Sequence, residues 1–311
     1  MKRTAVIFNP EKISEQKLRK LFSKLTDQEI FLLPTESKTN GVAAAQQAID
    51  LGVERIIAAG GDGTLRYVVE GTQGANVVIG ILPIGTGNVL ARNLRLPINN
   101  LEAAAARALS DIEHSIDLGV AEVIDEAGNR QTLIFTGIAG LGMDAKVMAA
   151  TDKKLKKRIG WIAYIEASVK SLPMKFEKFD VSIDGSNSRN LKSYSLLIGN
   201  AGWLPGQISM MPDARLDDGR LEMAAIGPRR IWNWVDFIGR VTWQNHVVRP
   251  LALGRKWLDA TANLKTLENL NGSVIEITPA NPVLMQLDGD PIFKVREAKF
   301  SLRAKALRIS I

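Results

Sequence analysis

The sequence predicts an α/β protein: a doubly wound parallel sheet in the first part of the chain, then a mainly antiparallel β domain. Three observations predict it. Short apolar runs alternate with amphipathic segments over roughly the first 110 residues, the pattern of repeated strand–helix units. Two of these runs end in glycine-bearing turns, Gly60-Gly61-Asp62-Gly63-Thr64 and Leu82-Pro83-Ile84-Gly85-Thr86-Gly87-Asn88. After Asp117 the texture changes: Val, Ile and Thr alternate with polar residues, punctuated by Gly, Asn and Asp.

Taken in order, residues 4–8 read as a short buried strand, and 14–26 as a helix with Leu18, Leu21 and Leu25 on one face. Ile30 to Leu33 is a second strand and 41–51 an alanine-rich helix. Arg55 to Ala59 feeds the first glycine turn, with a helix from Thr64 to Thr72. Asn76 to Leu82 and then 86–94 repeat strand, turn and helix. Further strands are expected at 118–124, 131–138, 179–184, 191–199, 220–226, 273–278, 283–287 and 298–311, with helices near 154–172 and 229–245. The boundary is expected around 118–125, dividing the chain into 1–120 and 121–311. No proline- or serine-rich linker marks it, so a short connection would leave a ligand-sized cleft.

Composition narrows the chemistry. The 311 residues are 46% hydrophobic and 23% charged, as in a folded globular protein with ample core. Cysteine is absent, which excludes disulfides and thiolate metal sites. Two histidines, His114 and His246, leave no His-rich metal cluster, so any metal would be a hard, oxygen-bound ion such as magnesium. The net charge of +7 admits anionic partners. Its basic residues are scattered, against a dedicated nucleic-acid stripe.

The glycine turns suit phosphate, because backbone N–H groups can approach anionic oxygens closely there. Asp62 would repel phosphate unless a cation or hydroxyl lay between, so an acid among these glycines suggests magnesium-nucleotide chemistry. Gly60, Gly61, Asp62, Gly63, Thr64, Leu65, Arg66, Gly85 and Thr86 are the candidates for holding phosphates. Both turns would meet at the carboxyl edge of the sheet, where open α/β sheets bind ligands. They also read as plain strand–helix turns, and neither the P-loop nor the dinucleotide fingerprint is present.

These residues, together with Ala91-Arg92, resemble the diacylglycerol kinase catalytic family, which includes bacterial diacylglycerol kinases and the related sphingosine and ceramide kinases. The resemblance runs almost the whole length. It includes Asn9-Pro10, Ser115-Ile116-Asp117-Leu118-Gly119, Gly140-Leu141-Gly142-Met143-Asp144-Ala145, Pro212 to Leu221, and Leu287-Asp288-Gly289-Asp290. It implies ATP and Mg²⁺ as cofactors, a lipid alcohol as acceptor, and a fold like those of NAD and diacylglycerol kinases; the alternatives are a kinase of a soluble acceptor such as NAD, or a non-catalytic nucleotide or lipid sensor. It adds Asn9 and Thr35 to the nucleotide side. Asp62 is expected to link the protein to the catalytic magnesium, with Asp117 supporting it from the domain junction.

Asp290 is implied as the general base, standing where the family carries Asp-Gly-Glu. One methylene shorter, it reaches roughly 1.5 Å less far, so either its strand sits closer, or Asp288 shares the role, or turnover is weak. The same letters read as an ordinary Asp-Gly surface turn. Val89 and Gly137 depart from positions where relatives carry Asp and Asn. The segment Arg215-Leu216-Asp217-Asp218-Gly219-Arg220 reads from spacing as a hairpin turn. By resemblance it is a second magnesium site, using the Asp218 side chain and the main-chain oxygens of Arg215 and Arg220.

Two segments admit membrane contact. Lys153 to Arg158 is a basic cluster followed by Trp161 and Tyr164, and Arg229 to Trp243 sets three tryptophans beside arginines; the first also reads as a solvated helix start and the second as a helix packed on the second domain. The expectation is a cytoplasmic protein reversibly associated with an anionic inner membrane face, without nucleic acid as partner; a homodimer is compatible with it. No apolar stretch approaches the roughly 18 residues of a membrane span, and Met1-Lys2-Arg3 leads into a strand, not a signal peptide.

Overall fold

The computed structural model describes residues 3–35, 40–143, 145–146, 175–205, 208–226 and 268–311. Asp144, the Lys153–Arg158 cluster, Trp161, Tyr164, the Arg229–Trp243 segment, His246 and both helices expected near 154–172 and 229–245 lie outside the described residues.

The first unit alternates strand and helix: β1 (Thr4–Phe8), α1 (Glu15–Phe22), β2 (Ile30–Pro34), α2 (Asn40–Asp50), β3 (Arg55–Gly60), α3 (Asp62–Gly71), β4 (Val78–Pro83), α4 (Val89–Asn93) and α5 (Leu101–Ala108). The parallel order is β2-β1-β3-β4. The strands are apolar on both faces because both faces are covered. Ala5 and Ile7 of β1 pack with Ala44, Ala45 and Ala48 of α2 and Val68 and Val69 of α3. Val6 and Phe8 point the other way, onto Leu18, Leu21 and Phe22 of α1 and Ala104, Ala105 and Ala108 of α5. Ser14 caps α1 by accepting the Lys17 N–H, and Asn100 caps α5 by accepting that of Ala103.

The second unit is mainly antiparallel. It comprises β5 (Glu113–Asp125), β6 (Arg130–Phe135), β7 (Ile138–Gly142), β8 (Glu177–Ile183), β9 (Arg189–Ser193), β10 (Ser195–Gly199), β11 (Trp203–Leu204), β12 (Ile208–Ser209), β13 (Leu221–Ile226), β14 (Glu268–Gly272), β15 (Val274–Pro279), β16 (Val283–Leu287) and β17 (Asp290–Ser310). Its core joins Phe135, Leu141, Phe179, Ile198, Met223, Ile275, Met285 and Phe300. Among the described residues, no helix is long and apolar enough to cross a membrane.

No hinge segment separates the two units in the sheet. β5 and the 21-residue β17 pair antiparallel along both, and Ile309 of β17 pairs in parallel with Ile79 of β4. Leu307 and Ile309 therefore pack in the same core as α2 and α3. Where β17 passes from one unit to the other its register shifts between Arg303 and Leu307, and Lys305 adopts φ 49°. The Lys305 N–H freed by that bulge is taken by Asp117 Oδ1 at 2.7 Å.

Several expected elements differ in extent, each for a local reason. The helix expected over 86–94 is only 89–93, because Asn88 sits at φ 50° and its side chain bridges Gly85, accepting from its N–H and donating to its carbonyl. The strand expected over 131–138 breaks at Thr136-Gly137, whose N–H groups turn from the ladder to the Asp288 carboxylate. The strand expected over 191–199 divides at Tyr194, whose N–H instead donates to the Ile226 carbonyl. The helix expected to start at Thr64 starts at Asp62, directly after the Gly61 N-cap. The last strand begins at Asp290, eight positions before its expected start, because the β16–β17 hairpin needs only two turn residues.

Candidate active site

Strands β3 and β4 end side by side, and the loops after them are fastened together. The Gly60 carbonyl accepts from the N–H groups of Ile84 and Gly85, at 2.8 and 3.0 Å. Contact between the loops is close enough to require glycine. A Cβ on Gly85 would stand 2.5 Å from the Gly61 Cα, and one on Gly87 would stand 2.6 Å from Asp62 Oδ2. A Cβ on Gly60 would collide with the Thr64 side chain. None of these glycines has positive φ. The turn is tight as expected, but glycine is needed for close approach and not for left-handed backbone.

Asp62 opens α3 and is held from the neighbouring loop: its Oδ1 accepts the Val89 N–H at 2.6 Å, at the start of α4. Burial and the negative charge of Asp288 push its pKa up to about 6, against the lowering effect of the Val89 and Asn88 N–H groups. Lys12 has its Nζ 3.0 Å from where a Cβ of Gly61 would lie, which puts a cation beside the turns. Arg92 donates from Nε to the Gly87 carbonyl at 2.8 Å. A small void lined by Gly60, Asp62, Pro83 and Asn88 lies among these residues, with room for about one water. A nucleotide would have to lie over the open side of the loops.

The late aspartates arrive on a hairpin. Leu287 pairs with Asp290, and Asp288 and Gly289 between them have φ 51° and 83°, the two-residue turn that Asp-Gly favours. It is the ordinary turn the letters allow, but it points inward. Asp288 accepts from the Thr136 N–H (2.7 Å) and hydroxyl (3.1 Å), and from the N–H groups of Gly137 (2.9 Å) and Ile138 (3.2 Å). Its pKa is raised by burial, opposed by those donors and by Arg66.

Asp290 has a different setting. Its Oδ2 lies 2.5 Å from where a Cβ of Gly63 would be, and 3.5 Å from Nη2 of Arg66. Its side chain keeps 27% of its surface open. Asp290 thus reaches the first turn of α3. Asp62, Asp288 and Asp290 are thus gathered around the first turns of α3.

The other expected residues fall in several places. Thr86 is exposed on the second turn, and Leu65 is part of the core. Asn9 Oδ1 accepts the Glu11 N–H, shaping the loop after β1. Thr35 is buried, with its hydroxyl donating to the Phe8 carbonyl at 3.3 Å. Asp117 is 1% exposed, and both of its oxygens hold backbone, Oδ1 that of Lys305 and Oδ2 that of Gly219 (2.7 Å each). It ties β17 to the 215–220 segment, a joint between the units. Val89 and Gly137 neighbour each other: a Cβ on Gly137 would lie 3.4 Å from Val89 Cγ1 and 3.6 Å from Asp288 Oδ1.

Around 215–220, Asp218 Oδ1 accepts the Arg220 N–H at 3.0 Å. Burial, then Asp213 and Asp218, raise the pKa of Glu222, whose Oε2 is buried without a hydrogen-bond partner. Acidic oxygens there fit a hard cation in kind. Among the described residues, however, no group of three or more His, Cys, Asp or Glu side chains could hold a metal. Lys12, the cation beside the turns, is not among the candidates that the sequence suggests; its sequence signal is its place just after Asn9-Pro10.

Two family models match parts of this chain. Residues 3–121 match the diacylglycerol kinase catalytic domain, and 137–255 the YegS C-terminal NAD kinase beta sandwich-like domain. A Pseudomonas aeruginosa (strain UCBPP-PA14) protein named probable lipid kinase YegS-like is 30% identical over 277 residues, covering 86% of this chain and 79% of that protein. A Staphylococcus epidermidis diacylglycerol kinase is 31% identical over 232 residues, 70% of this chain and 68% of the relative. The structure of a diacylglycerol kinase from Bacillus anthracis superposes with a TM-score of 0.74 at 20% identity, covering 99% and 96% of the two chains. An Archaeoglobus fulgidus NAD kinase in complex with ATP gives 0.53 at 12% identity, covering 99% and 93%. The chain belongs to the diacylglycerol kinase catalytic-domain family.

Proposed function

We propose that this protein transfers the γ-phosphoryl group of ATP to the hydroxyl of diacylglycerol or a similar lipid, giving a phosphatidate-type product. The carrying observation is the approach of Asp290 to Gly63, which places a partly open carboxylate from the antiparallel unit at the glycine turn of the parallel unit. Family membership supports phosphoryl transfer, and the names of the relatives support a lipid acceptor.

In this reading residues 1–120 hold the nucleotide and 121–311 the acceptor. The loops at Gly60–Thr64 and Gly85–Gly87 face the phosphates, with Lys12 neutralising charge beside them. Asp290 accepts the proton of the acceptor hydroxyl as the hydroxyl oxygen attacks the γ-phosphorus and the bond from that phosphorus to the β–γ bridging oxygen breaks, releasing ADP. Asp288 organises the Thr136–Ile138 backbone beneath it. The raised, crowded carboxylate of Asp62 fits a hard dication, and Asp62 would hold Mg²⁺, which supplies charge neutralisation when bound. Reversible contact with an anionic membrane face would deliver the acceptor.

The test is radiolabelled ATP with diacylglycerol, sphingosine, ceramide, phosphatidylglycerol and NAD as separate acceptors. A phosphorylated lipid is expected. Product from NAD alone would replace the lipid by a soluble acceptor, and ATP binding with no product would make the protein a sensor.

A further inference from the structure

Building on that reading, we propose that Arg66 is a positioning residue for Asp290, holding its carboxylate over the first turn of α3 while leaving it open to the acceptor hydroxyl. Positions 63 and 66 lie three apart on α3 and share a helix face. Gly63 leaves the space that Asp290 Oδ2 enters, and Arg66 Nη2 stands 3.5 Å from the same oxygen. Together they make a seat that is vacant of side-chain bulk at one position and positively charged at the other.

Three features separate this arginine from an ordinary structural one. Its side chain is 4% exposed, yet Nε and Nη2 make no hydrogen bond. Burying a guanidinium with two nitrogens lacking hydrogen bonds is costly unless nearby carboxylates compensate its charge. Asp290 is in ion-pair range, and Asp288 feels the same charge. The guanidinium also lies over the Tyr67 ring, 4.3 Å from its centroid, which restrains it from one side. Arg55 is the contrast: equally buried, it donates to the carbonyls of Leu109 and Ser110 and to Asp111.

The separation decides the role. At 3.5 Å, Arg66 attracts Asp290 without capping it by a hydrogen bond, so a lone pair stays available for a substrate proton. Asp288 is filled by four donors and has lost that freedom. The Thr136–Ile138 donors thus occupy Asp288, while Arg66 holds Asp290 in place without occupying it.

A double-mutant cycle tests this: Arg66→Gln, Asp290→Asn and the double variant, assayed with ATP and mixed micelles of the lipid that the wild type uses, with folding followed by thermal melting. Arg66→Gln is expected to lower kcat about 10- to 100-fold with the KM for ATP nearly unchanged, and to cost little further in the Asp290→Asn background. Arg66→Lys should recover part of the loss, and it replaces the glutamine variant in the cycle if that variant does not fold. Equal proportional losses in both backgrounds would overturn the inference. So would a raised KM for ATP at constant kcat, which would make Arg66 a nucleotide ligand. A wild type inactive on every lipid would remove the lipid-kinase reading and this inference with it, an outcome distinct from an active enzyme whose cycle is additive.

Discussion

Glycine serves opposite purposes at the two edges of this site. In the parallel unit, Gly60, Gly61, Gly63, Gly85 and Gly87 have ordinary backbone angles and crowded surroundings. In the β16–β17 hairpin, Gly289 has φ 83° and open space where a Cβ would go. The first set lets loops and carboxylates approach one another; the second lets the backbone reverse. The first kind of glycine sets how closely loops and carboxylates approach, whereas the second sets a turn, so substitutions at the two edges should damage different properties.

Removing the charge at the crowded edge should have the largest effect. Asp62→Asn is expected to lower transfer by at least about a thousandfold while the protein still melts cooperatively. Asp290→Asn should lower kcat by about 10²–10⁴-fold with ATP affinity retained, measured by kinetics and by titration with a non-hydrolysable analogue. Equal rates for Asn and Asp would remove Asp290 from the mechanism. Gly63→Ala sharpens the comparison: in an exposed helix the change would stabilise by about 1 kcal/mol, but here the methyl meets Asp290. Displacing that carboxylate should cost up to about 100-fold in kcat.

Smaller effects concern stability. Native Asp62 keeps its proton up to about pH 6, whereas the unfolded chain releases it near the ordinary aspartate value of 3.8. Between those values the native state binds more protons, so this contribution is fully present below the lower value and lost as pH rises through the upper one. Asp62→Asn should therefore raise the Tm at pH 7.5, by about 1–3 kcal/mol in stability, and the advantage should shrink as the pH is lowered to 5. Gly289→Ala should cost about 1–2 kcal/mol with turnover close to wild type, because only backbone strain is added. If it abolished activity instead, the contrast between the two edges would fail.

Much of the fold was legible. The repeated strand–helix pattern, both loops after β3 and β4, and the change of texture after Asp117 are local properties of short segments. The fate of 136–137 was not legible, because the strand break depends on a carboxylate 152 positions away. The same holds for the brevity of α4, which is set by the Asn88 side chain closing on Gly85. In the site, the residue types at 62, 288 and 290 were readable, but their division of labour was not. Lys12 and Arg66 acquire their particular surroundings only through packing.

The sequence alone determined the parallel core, since apolar runs on both faces of short strands require helices on both sides. It also determined where glycine and acid would recur, because those letters are written in the chain. Only the tertiary structure decided which acid is filled and which stays open. Sequence separation sets no distance across a sheet, and the approach of Asp290 to Gly63 exists only once β17 has joined the antiparallel layer to β4.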